Sequence, residues 1–519
     1  MPTTPTIDVL IVGAGPTGTA LAIDLARRGL SFRLIDKEPT AFGGSRAKGI
    51  QPRTLEVFDG LGVLLDVLNR GGPYPKMGIH RGPLTSPWRM IEKGNPGPDV
   101  PHPDTLLIPQ NSTIRVLHER LGTFGAQVEL GTELIEFATD ATGITAQLST
   151  SRGAEELTAR YIVGADGGSS RVRKMAGIKF EGTTDEADRM LIVDAAVDGD
   201  LSRNYWHVWP GARGRFVGAC PLPHSELFQW MIRLAPDENP PSTAAEINEK
   251  VRSLTGNKKL FLRDINWQSI FRPNIRLAEN YRRGRVFLAG DAAHVHTPAG
   301  AQGLNTGVGD AYNLGWKLGQ VLAGAPDALL DTYETERRPI AAHVLGLSTK
   351  KFAAIGTLDP KSARRGKDEK QLLLTYHGGP LASPTTEQTN TLRTGDRAPD
   401  AQLVTADGAP IRLFDVYRGP HFTAIAYGSK IAAVLDELQW PTGGAHLKRL
   451  HITQRPTKDD THNLESLTDP TGNFTRTYGL TQDTLLLVRP DGYIAHIATH
   501  DALKTTNTVV NTMTPGPPA

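Results

Sequence analysis

The feature that most constrains the fold is a glycine-rich turn near the N-terminus, Gly13-Ala14-Gly15-Pro16-Thr17-Gly18. A short, mostly apolar run, residues 7–12, precedes it, a segment with helical spacing follows it, and a second, mostly apolar run ends at Asp36. The three glycines allow a tight turn, a close approach of backbone to a pyrophosphate, and close packing of helix on strand. The helix N-terminus would face the diphosphate, and the acid would accept hydrogen bonds from a ribose. The pattern predicts a βαβ unit that binds a dinucleotide.

Composition excludes several other classes of protein. The 519 residues correspond to roughly three to four domains, and Lys plus Arg (57) nearly balances Asp plus Glu (55). We therefore expect no nucleic-acid partner. The single cysteine, Cys220, excludes an intrachain disulfide and suits a reducing compartment. No signal peptide and no run of about 18 apolar residues is evident, so we expect a cytoplasmic protein that makes no membrane contact.

Two further motifs follow apolar strands. The first is Gly164-Ala165-Asp166-Gly167, and the second is Leu288-Ala289-Gly290-Asp291-Ala292-Ala293-His294, which runs into Gly303-Leu304-Asn305-Thr306-Gly307. Periodicity also predicts strands over 127–136, 144–150 and 156–163, and a long helical region over 303–355. With three such motifs in this order, the chain resembles the single-component (class A) FAD-dependent aromatic hydroxylases. These include the p-hydroxybenzoate and phenol hydroxylases and polyketide-tailoring relatives.

The resemblance covers residues 6–355 and extends to the C-terminal region. It implies an α/β and α+β architecture with a Rossmann-like FAD-binding domain of the p-hydroxybenzoate hydroxylase type, a β-sheet substrate domain and a thioredoxin-like C-terminal domain. The implied bounds are 1–184 for the first part of the FAD domain, with 75–105 contributing to the substrate domain, then 185–275 for the substrate sheet, 276–388 for the second FAD part and a helical linker, and 389–519 for the C-terminal domain. No cysteine lies in the last domain, so thiol redox chemistry is excluded there. We expect it to be a structural or dimer-stabilising module in a monomer or homodimer.

The resemblance also assigns residues to the cofactor. Asp166-Gly167, with Arg173 downstream, is associated with FAD and NAD(P)H together, Asp291 with the ribitol, and Pro298 with the reactive edge of the isoalloxazine. The complete set implied to bind FAD is Gly13, Gly15, Pro16, Thr17, Gly18, Asp36, Lys37, Arg46, Gln110, Asp166, Gly167, Asp291, Pro298, Gly303, Leu304 and Asn305.

The implied reaction is monooxygenation of an aromatic ring. NADPH or NADH would reduce FAD, O2 would form a flavin C4a-hydroperoxide, and a phenolic or polycyclic aromatic substrate, such as a polyketide, would be hydroxylated. A Baeyer–Villiger-type monooxygenase, an oxidase or dehydrogenase, and a non-catalytic flavin-binding protein remain alternatives. Labelled O2 would distinguish the first two from ring hydroxylation, and substrate-stimulated NAD(P)H consumption would exclude the last.

For the substrate, the aromatic-rich sheet offers His207, Trp209 and Phe216 as candidates. Lys48 stands in the segment where phenol hydroxylases place an acid close to the phenol, so no catalytic base is assigned. A cation there would favour an anionic or phenolate form of the substrate. His294 and His296 have i, i+2 spacing that could suggest a metal, but packing of the loop beside FAD explains them more simply, and we expect no metal.

Overall fold

The computed structural model describes residues 7–82, 84–297, 301–356, 366–382, 388–455 and 464–516, with the backbone only for residues 213 and 348–356. Within these ranges, none of the helices combines the length and apolar character that crossing a membrane requires.

The first sheet has eight strands and carries the glycine-rich turn. Ile7–Val12 pairs in parallel with Phe32–Asp36 on one side and with Gly153–Gly164 on the other. Residues 9–12 are all buried, as expected of a parallel strand covered on both faces. The remaining strands of this sheet are Val128–Leu130, Glu133–Thr139, Ile144–Thr150, Arg282–Arg283 and Val286–Leu288.

Helices pack around this sheet, and one predicted helical region and one predicted strand are each divided into two elements. The helical region predicted over 303–355 is two helices, because Gly324, with φ of 108°, and Pro326 interrupt it. The strand predicted over 127–136 is likewise two strands, separated by Gly131 at φ of 66°. The α-helices up to residue 356 are Pro16–Ala26, Pro52–Leu61, Leu64–Arg70, Gln110–Gly122, Arg171–Met175, Ala244–Thr255, Gly303–Leu322 and Ala328–Gly356.

The second sheet has seven strands and two different faces. Ala244–Thr255 packs on one face, where Ile247 and Val251 join a core with Trp209 and Trp230. The other face is directed toward the first sheet and its loops. In spatial order the strands are Phe261–Phe271, Met190–Asp198, Phe228–Arg233, Phe216–Pro221, Tyr205–Pro210, Lys76–Arg81 and Leu84–Trp88.

The third sheet, also of seven strands, forms the thioredoxin-like C-terminal domain. Phe422–Tyr427 pairs in parallel with Leu447–Thr453 and antiparallel with Thr484–Val488, which forms a hairpin with Ile494–Ala498. The other strands are Gln402–Thr405, Pro410–Arg412 and Glu465–Thr468, and the helices are Leu413–Tyr417, Ser429–Glu437, Asn473–Thr477 and Ala502–Met513.

The two faces of this third sheet belong to different cores. Ile425 and Leu486 lie in a core formed within the C-terminal domain. Phe422, Leu485 and Leu487 lie in the core that also contains the first sheet. Because side chains alternate along a strand, the C-terminal sheet is buried on both sides and one side is continuous with the FAD-binding region.

Short structures complete the described chain. Two small sheets contain Phe180–Thr184, Asn274–Ala278 and His294–Val295, and Gly49–Ile50, Gly72–Pro73 and Leu106–Leu107. Three 3-10 turns are Ala212–Gly214, Gly290–Ala292 and Asp368–Lys370.

Candidate functional site

The turn after the first strand needs glycine at two positions for its shape. Gly13 has a φ of 105°, and a Cβ built on it would lie 2.4 Å from the carbonyl oxygen of Ala165. A Cβ on Gly18 would lie 1.9 Å from the carbonyl oxygen of Gly13. A Cβ on Gly15, by contrast, would meet no described atom within 4 Å. The backbone therefore borders open space at the position where a diphosphate would approach.

The first turn of the helix joins the separate motifs. The helix begins at Pro16, and no side chain among the described residues caps its first N–H groups. Cβ atoms built on Gly290 and Gly307 would lie 2.6 Å and 2.4 Å from Oγ1 of Thr17. Thr17 thus packs where the turn before Asp291 and the helix that begins at 303 come together, so motifs distant in sequence converge.

The second strand ends at a half-buried carboxylate directed toward the glycine turn. Oδ2 of Asp36 accepts a hydrogen bond from the N–H of Ala14 at 2.8 Å, and Oδ1 accepts one from the N–H of Glu38 at 3.0 Å. A carboxylate has about four acceptor positions, so Asp36 retains capacity for ribose hydroxyls. Lys37, next to it, is exposed.

Asp166 shapes the second motif. Its Oδ2 accepts hydrogen bonds from the N–H groups of Arg171 and Val172, at 2.7 and 3.2 Å. Its Oδ1 is buried and has no hydrogen-bond partner among the described residues. Gly167 has a φ of 81° and borders open space. An orphaned acceptor beside open backbone fits a polar ligand at this loop.

Arg173 connects the second and third motifs. It is 4% exposed and donates hydrogen bonds to the carbonyl oxygens of Gly168 and Ala292, both at 2.8 Å. Its guanidinium also lies 3.8 Å from the ring centroid of Phe180. Because all of these contacts are within the protein, the structure places Arg173 as a support for the two loops.

Asp291 faces an internal cleft. It lies in the turn Gly290–Ala292. Burial by surrounding protein raises the pKa of its carboxyl group, with the charges of His294 and Arg46 opposing the effect. The side chain is nevertheless exposed. An accessible carboxylate enclosed by protein suits a hydrogen bond to the polyol of a bound ligand.

The helix that begins at Gly303 borders the same cleft. A Cβ on Gly303 would lie 3.8 Å from Oδ1 of Asp291, and the half-buried Leu304 follows. Asn305 is buried; it accepts from the N–H of Gln51 at 2.8 Å and donates to the carbonyl oxygen of Gly49 at 2.9 Å. Its side chain therefore anchors the helix start to the segment near residue 50.

The remaining predicted cofactor residues are placed as follows. Arg46 is exposed. Gln110 begins a helix, and its Oε1 accepts from the N–H of Ala47 at 3.0 Å. It therefore holds the segment that carries Arg46. Pro298 lies outside the described residues.

Sequence reasoning missed the polar groups that support Asp291. Nε2 of His294 lies 2.6 Å from Oδ2 of Asp310, and both side chains are fully buried. The same oxygen accepts from the N–H of Gly290 at 3.1 Å, and Nε of Arg337 donates to the other oxygen at 2.8 Å. Burial alone would raise the pKa of Asp310, but His294 and Arg337 outweigh it and lower the pKa. The carboxylate thus holds the backbone next to Asp291.

His296 packs against the ring of His294. Burial, followed by the charge of His294, lowers the pKa of His296 to about 3, and the two rings meet edge to face. No group of three or more metal-binding side chains occurs within the described ranges.

Two of the three predicted substrate residues lie on the wrong face of the second sheet. Nδ1 of His207 lies 2.8 Å from Nε2 of His80, whose ring stacks on Trp209 at 4.3 Å. Trp209 belongs to the core beneath the helix Ala244–Thr255. His207 and Trp209 therefore face away from the FAD motifs, and this prediction is corrected. The half-buried Phe216 lies on the opposite, flavin-side face, since it pairs with Pro210, an odd step from Trp209.

The flavin-side face carries a different aromatic group. Trp206 pairs with Met77, and Met77 pairs with Trp88, so the three share this face. Tyr74 lies beside Trp206, with ring centroids 5.9 Å apart. Tyr74, Met77 and Trp88 are only partly buried. A Cβ on Gly49 would contact both Tyr74 and Ala301, so this aromatic wall adjoins the loop before residue 303. We call it the chamber wall.

Lys48 lies against the chamber wall. It is 8% exposed, its ammonium lies 4.9 Å from the ring centroid of Trp206, and it donates to Oε1 of Gln229. Gln229 donates to Oγ of Ser45 at 2.7 Å, and Ser45 donates to Oδ1 of Asp194 at 2.5 Å. The buried cation is thus balanced at a distance by a buried carboxylate.

Asp194 also borders a pocket of about 380 Å³. The pocket lies where residues 109–112 meet the second sheet, and its lining includes Asn111, Leu222 and Leu227. Burial raises the pKa of Asp194, although hydrogen bonds from Ser45 and the charge of Lys48 oppose the rise. The second sheet and the FAD-binding region therefore meet over a polar contact that borders this pocket.

Comparison with known proteins agrees with this geometry. Residues 6–348 match the family described as "FAD binding domain", and residues 395–512 match the "HcaD C-terminal domain". A flavin-dependent monooxygenase of Mycobacteroides abscessus is 41% identical over 94% of this chain and 96% of its own length. A 12-dehydrotetracycline 5-monooxygenase/anhydrotetracycline 6-monooxygenase of Streptomyces rimosus is 34% identical over 95% of each chain.

A solved structure shows the same likeness. The OxyS anhydrotetracycline hydroxylase from Streptomyces rimosus superposes with a TM-score of 0.76 at 30% identity, covering 99% of this chain and 100% of that one. The fold, the converging glycine motifs and these relatives define the class of FAD-dependent aromatic hydroxylases of the p-hydroxybenzoate hydroxylase type. The chain belongs to this family and is a flavin-dependent monooxygenase.

Proposed function

We propose that this enzyme uses NADPH or NADH and O2 to hydroxylate a phenolic or polycyclic aromatic substrate. The observation that carries the proposal is the chamber wall, in which Trp206 lies beside Tyr74, and Tyr74 adjoins the loop that leads to the FAD motif. Aromatic side chains suit a planar ring, and ligand sites are commonly apolar with a few placed polar groups. The relative named for anhydrotetracycline supports a polycyclic substrate.

The residues present fit FAD. The backbone at Gly15 borders open space, Asp36 keeps acceptor capacity, Oδ1 of Asp166 has no partner among the described residues, and the carboxylate of Asp291 is accessible. We assign the diphosphate to the helix that begins at Pro16, the ribose to Asp36 and the ribitol to Asp291. Bound FAD would supply hydride acceptance and the activation of O2.

The protein itself would orient the ring and its charge. The chamber wall would hold an aromatic ring and exclude water, which protects oxygenation from wasteful side reactions. Lys48 would stabilise the deprotonated hydroxyl of a phenol, and the aromatic ring of a phenolate has a higher electron density than that of the neutral phenol. Its own desolvation is offset by Trp206 and the Gln229 carbonyl.

For the reductant, we assign NAD(P)H to the same cleft rather than to a second dinucleotide domain. The exposed Arg46 contributes a positive charge near Asp291, and such a charge suits an arriving nucleotide. A dependence on NAD(P)H is met in the cytoplasm, where we place the enzyme.

The proposal is tested with purified, FAD-loaded enzyme and a panel of phenols and polycyclic phenols under ¹⁸O2. We expect at least one compound to stimulate NAD(P)H consumption and to gain one labelled oxygen on a ring carbon. A labelled oxygen inserted beside a ketone would instead indicate Baeyer–Villiger chemistry. Oxidised but unlabelled product would indicate an oxidase, and either outcome would refute ring hydroxylation.

A further inference from the structure

The helix that begins at the FAD cleft, Gly303–Leu322, carries a buried polar stripe. Its members recur at intervals of three or four residues on an enclosed helix that is mostly apolar after Asn305, so they share one side. They are Thr306, Asp310, Asn313, Lys317 and Gln320, each at most 1% exposed. Unpaired polar groups at such depth are costly, and each of these has a partner outside its own helix.

The C-terminal domain provides several of those partners. Nδ2 of Asn313 donates to Oδ2 of Asp491 at 3.2 Å. Nε2 of Gln320 donates to the carbonyl oxygen of Met513 at 3.0 Å, and its Oε1 accepts from the N–H of Ala445 at 2.6 Å. Three separate segments of the C-terminal domain therefore hydrogen-bond to one side of the helix Gly303–Leu322.

Arg489 is the centre of this contact. Its side chain is 2% exposed and pairs with both oxygens of Glu336, at 2.6 and 3.0 Å, and with Asp491. Glu336 in turn accepts from Nζ of Lys317 at 2.8 Å. A bidentate arginine–carboxylate pair fixes direction as well as distance, so Arg489 orients the segment that carries Glu336.

The next residue along that segment reaches the FAD cleft. Arg337 donates to Asp310 at 2.8 Å and to the carbonyl oxygen of Thr306 at 3.1 Å. Asp310 holds Gly290 and His294 on either side of Asp291. Two adjacent residues therefore connect Arg489, in the C-terminal domain, with the carboxylate that faces the ribitol position.

A second route joins the same groups. Nη1 of Arg337 donates to the hydroxyl of Tyr376 at 3.0 Å, and the guanidinium of Arg489 lies 5.1 Å from the Tyr376 ring centroid. The buried ions also balance: Lys317, Arg337 and Arg489 against Asp310, Glu336 and Asp491. Buried ion pairs contribute little net stability compared with apolar packing, so their geometric effect is the more informative property.

We propose that Arg489 is a positioning residue for FAD, through which the cysteine-free C-terminal domain sets the geometry of the Asp291 turn and of the helix beginning at Gly303. The inference rests on FAD binding, and its readouts need no substrate. The positioning role can therefore be refuted while the proposed hydroxylation is confirmed, and the hydroxylation can be refuted while the positioning role is confirmed.

The test compares Arg489→Lys with the full-length wild type. Lysine retains the charge but cannot make the bidentate pair. We expect the FAD dissociation constant, measured by quenching of flavin fluorescence, to rise about fivefold, and the visible circular dichroism of bound FAD to change. Asp310→Asn should act on the same readouts, and the double variant should show less than the product of the two effects.

Arg418→Lys is the matched control. Arg418 also lies in the C-terminal domain and pairs across the interface, with Asp59 at 2.6 Å, but it does not contact the polar stripe. We expect it to leave FAD affinity and circular dichroism unchanged. Unchanged FAD properties in Arg489→Lys, with only a lower melting temperature, would overturn the proposal, as would equal effects of the two lysine variants or multiplicative effects with Asp310→Asn.

Discussion

Replacing Lys48 by methionine should raise the pKa of a phenol bound at the chamber wall. The lysine is almost fully buried, and its ammonium lies 4.9 Å from the Trp206 ring centroid. Methionine has similar length and packs well in irregular apolar spaces, so the substitution removes the charge with little loss of volume. Lys48→Arg retains the charge and is the control.

The size of the effect follows from that distance. A phenolate oxygen as far from the ammonium as the ring centroid, 4.9 Å, would be stabilised by about 3 kcal/mol at an effective dielectric constant near 20. Asp194, joined to Lys48 through Gln229 and Ser45, carries the opposite charge and offsets part of this. If half remains, the pKa of the bound phenol changes by about one unit.

The assay is a spectrophotometric pH titration of bound 4-nitrophenol, whose phenolate absorbs visible light. In FAD-loaded wild type and Lys48→Arg, the bound phenol should deprotonate about one pH unit lower than in Lys48→Met. With a turnover substrate, the acidic limb of kcat, which reports ionisations in the enzyme–substrate complex, should move by the same amount. Equal bound-phenol pKa values in wild type and Lys48→Met would refute the assignment of Lys48 to the substrate.

Three further predictions concern the cofactor and acid stability. Gly15→Ala should weaken FAD binding about tenfold or more, roughly 1.4 kcal/mol, while the apoprotein keeps its melting temperature, because the new methyl group enters open space. Gly18→Ala should lower both the FAD affinity and the melting temperature, since its Cβ would meet the Gly13 carbonyl. Asp291→Ala should weaken FAD retention by about 1–3 kcal/mol, measured by equilibrium dialysis, whereas undiminished retention would remove Asp291 from the site. Burial lowers the pKa of His496 to about 4, so the unfolded chain binds its proton first and stability falls as pH drops from about 6.5 toward 4; His496→Leu should recover about 2 kcal/mol at pH 5 and nothing at pH 8 in urea unfolding, and an equal gain at both pH values would contradict this reasoning.

The family and fold class could be predicted because the three motifs are local. Each glycine-acid motif follows a strand that ends in a buried apolar run, such as residues 9–12 of Ile7–Val12, and local spacing places the motif at the end of that strand. Parallel strands bring such ends to one edge of a sheet. The prediction of an FAD-dependent aromatic hydroxylase is confirmed by the family match and by the relatives. The individual FAD contacts remain predictions.

The substrate side could not be predicted equally well. Trp206, His207 and Trp209 lie in one strand, and both faces of that strand are buried, so composition does not show which face meets the cofactor. A shift of one residue exchanges the faces of a strand. The deciding contact, between Lys48 and Trp206, joins segments far apart in sequence. The polar stripe, by contrast, was available in the sequence as polar residues at helical spacing within an apolar segment.

The C-terminal domain shows how a fold can be retained without its redox chemistry. Its sheet faces two cores, and the face that carries Phe422 and Leu485 belongs to the same core as the FAD-binding sheet. Packing of the C-terminal sheet against the FAD-binding sheet would require only apolar side chains at the contact. Arg489 and Asp491, at the end of the strand Thr484–Val488, are instead buried and paired with Glu336 and Asn313. Apolar contacts tolerate changes of direction, whereas paired charges in a closed interior do not. The domain therefore fixes the orientation of the helix Gly303–Leu322, and no thiol is needed for this role.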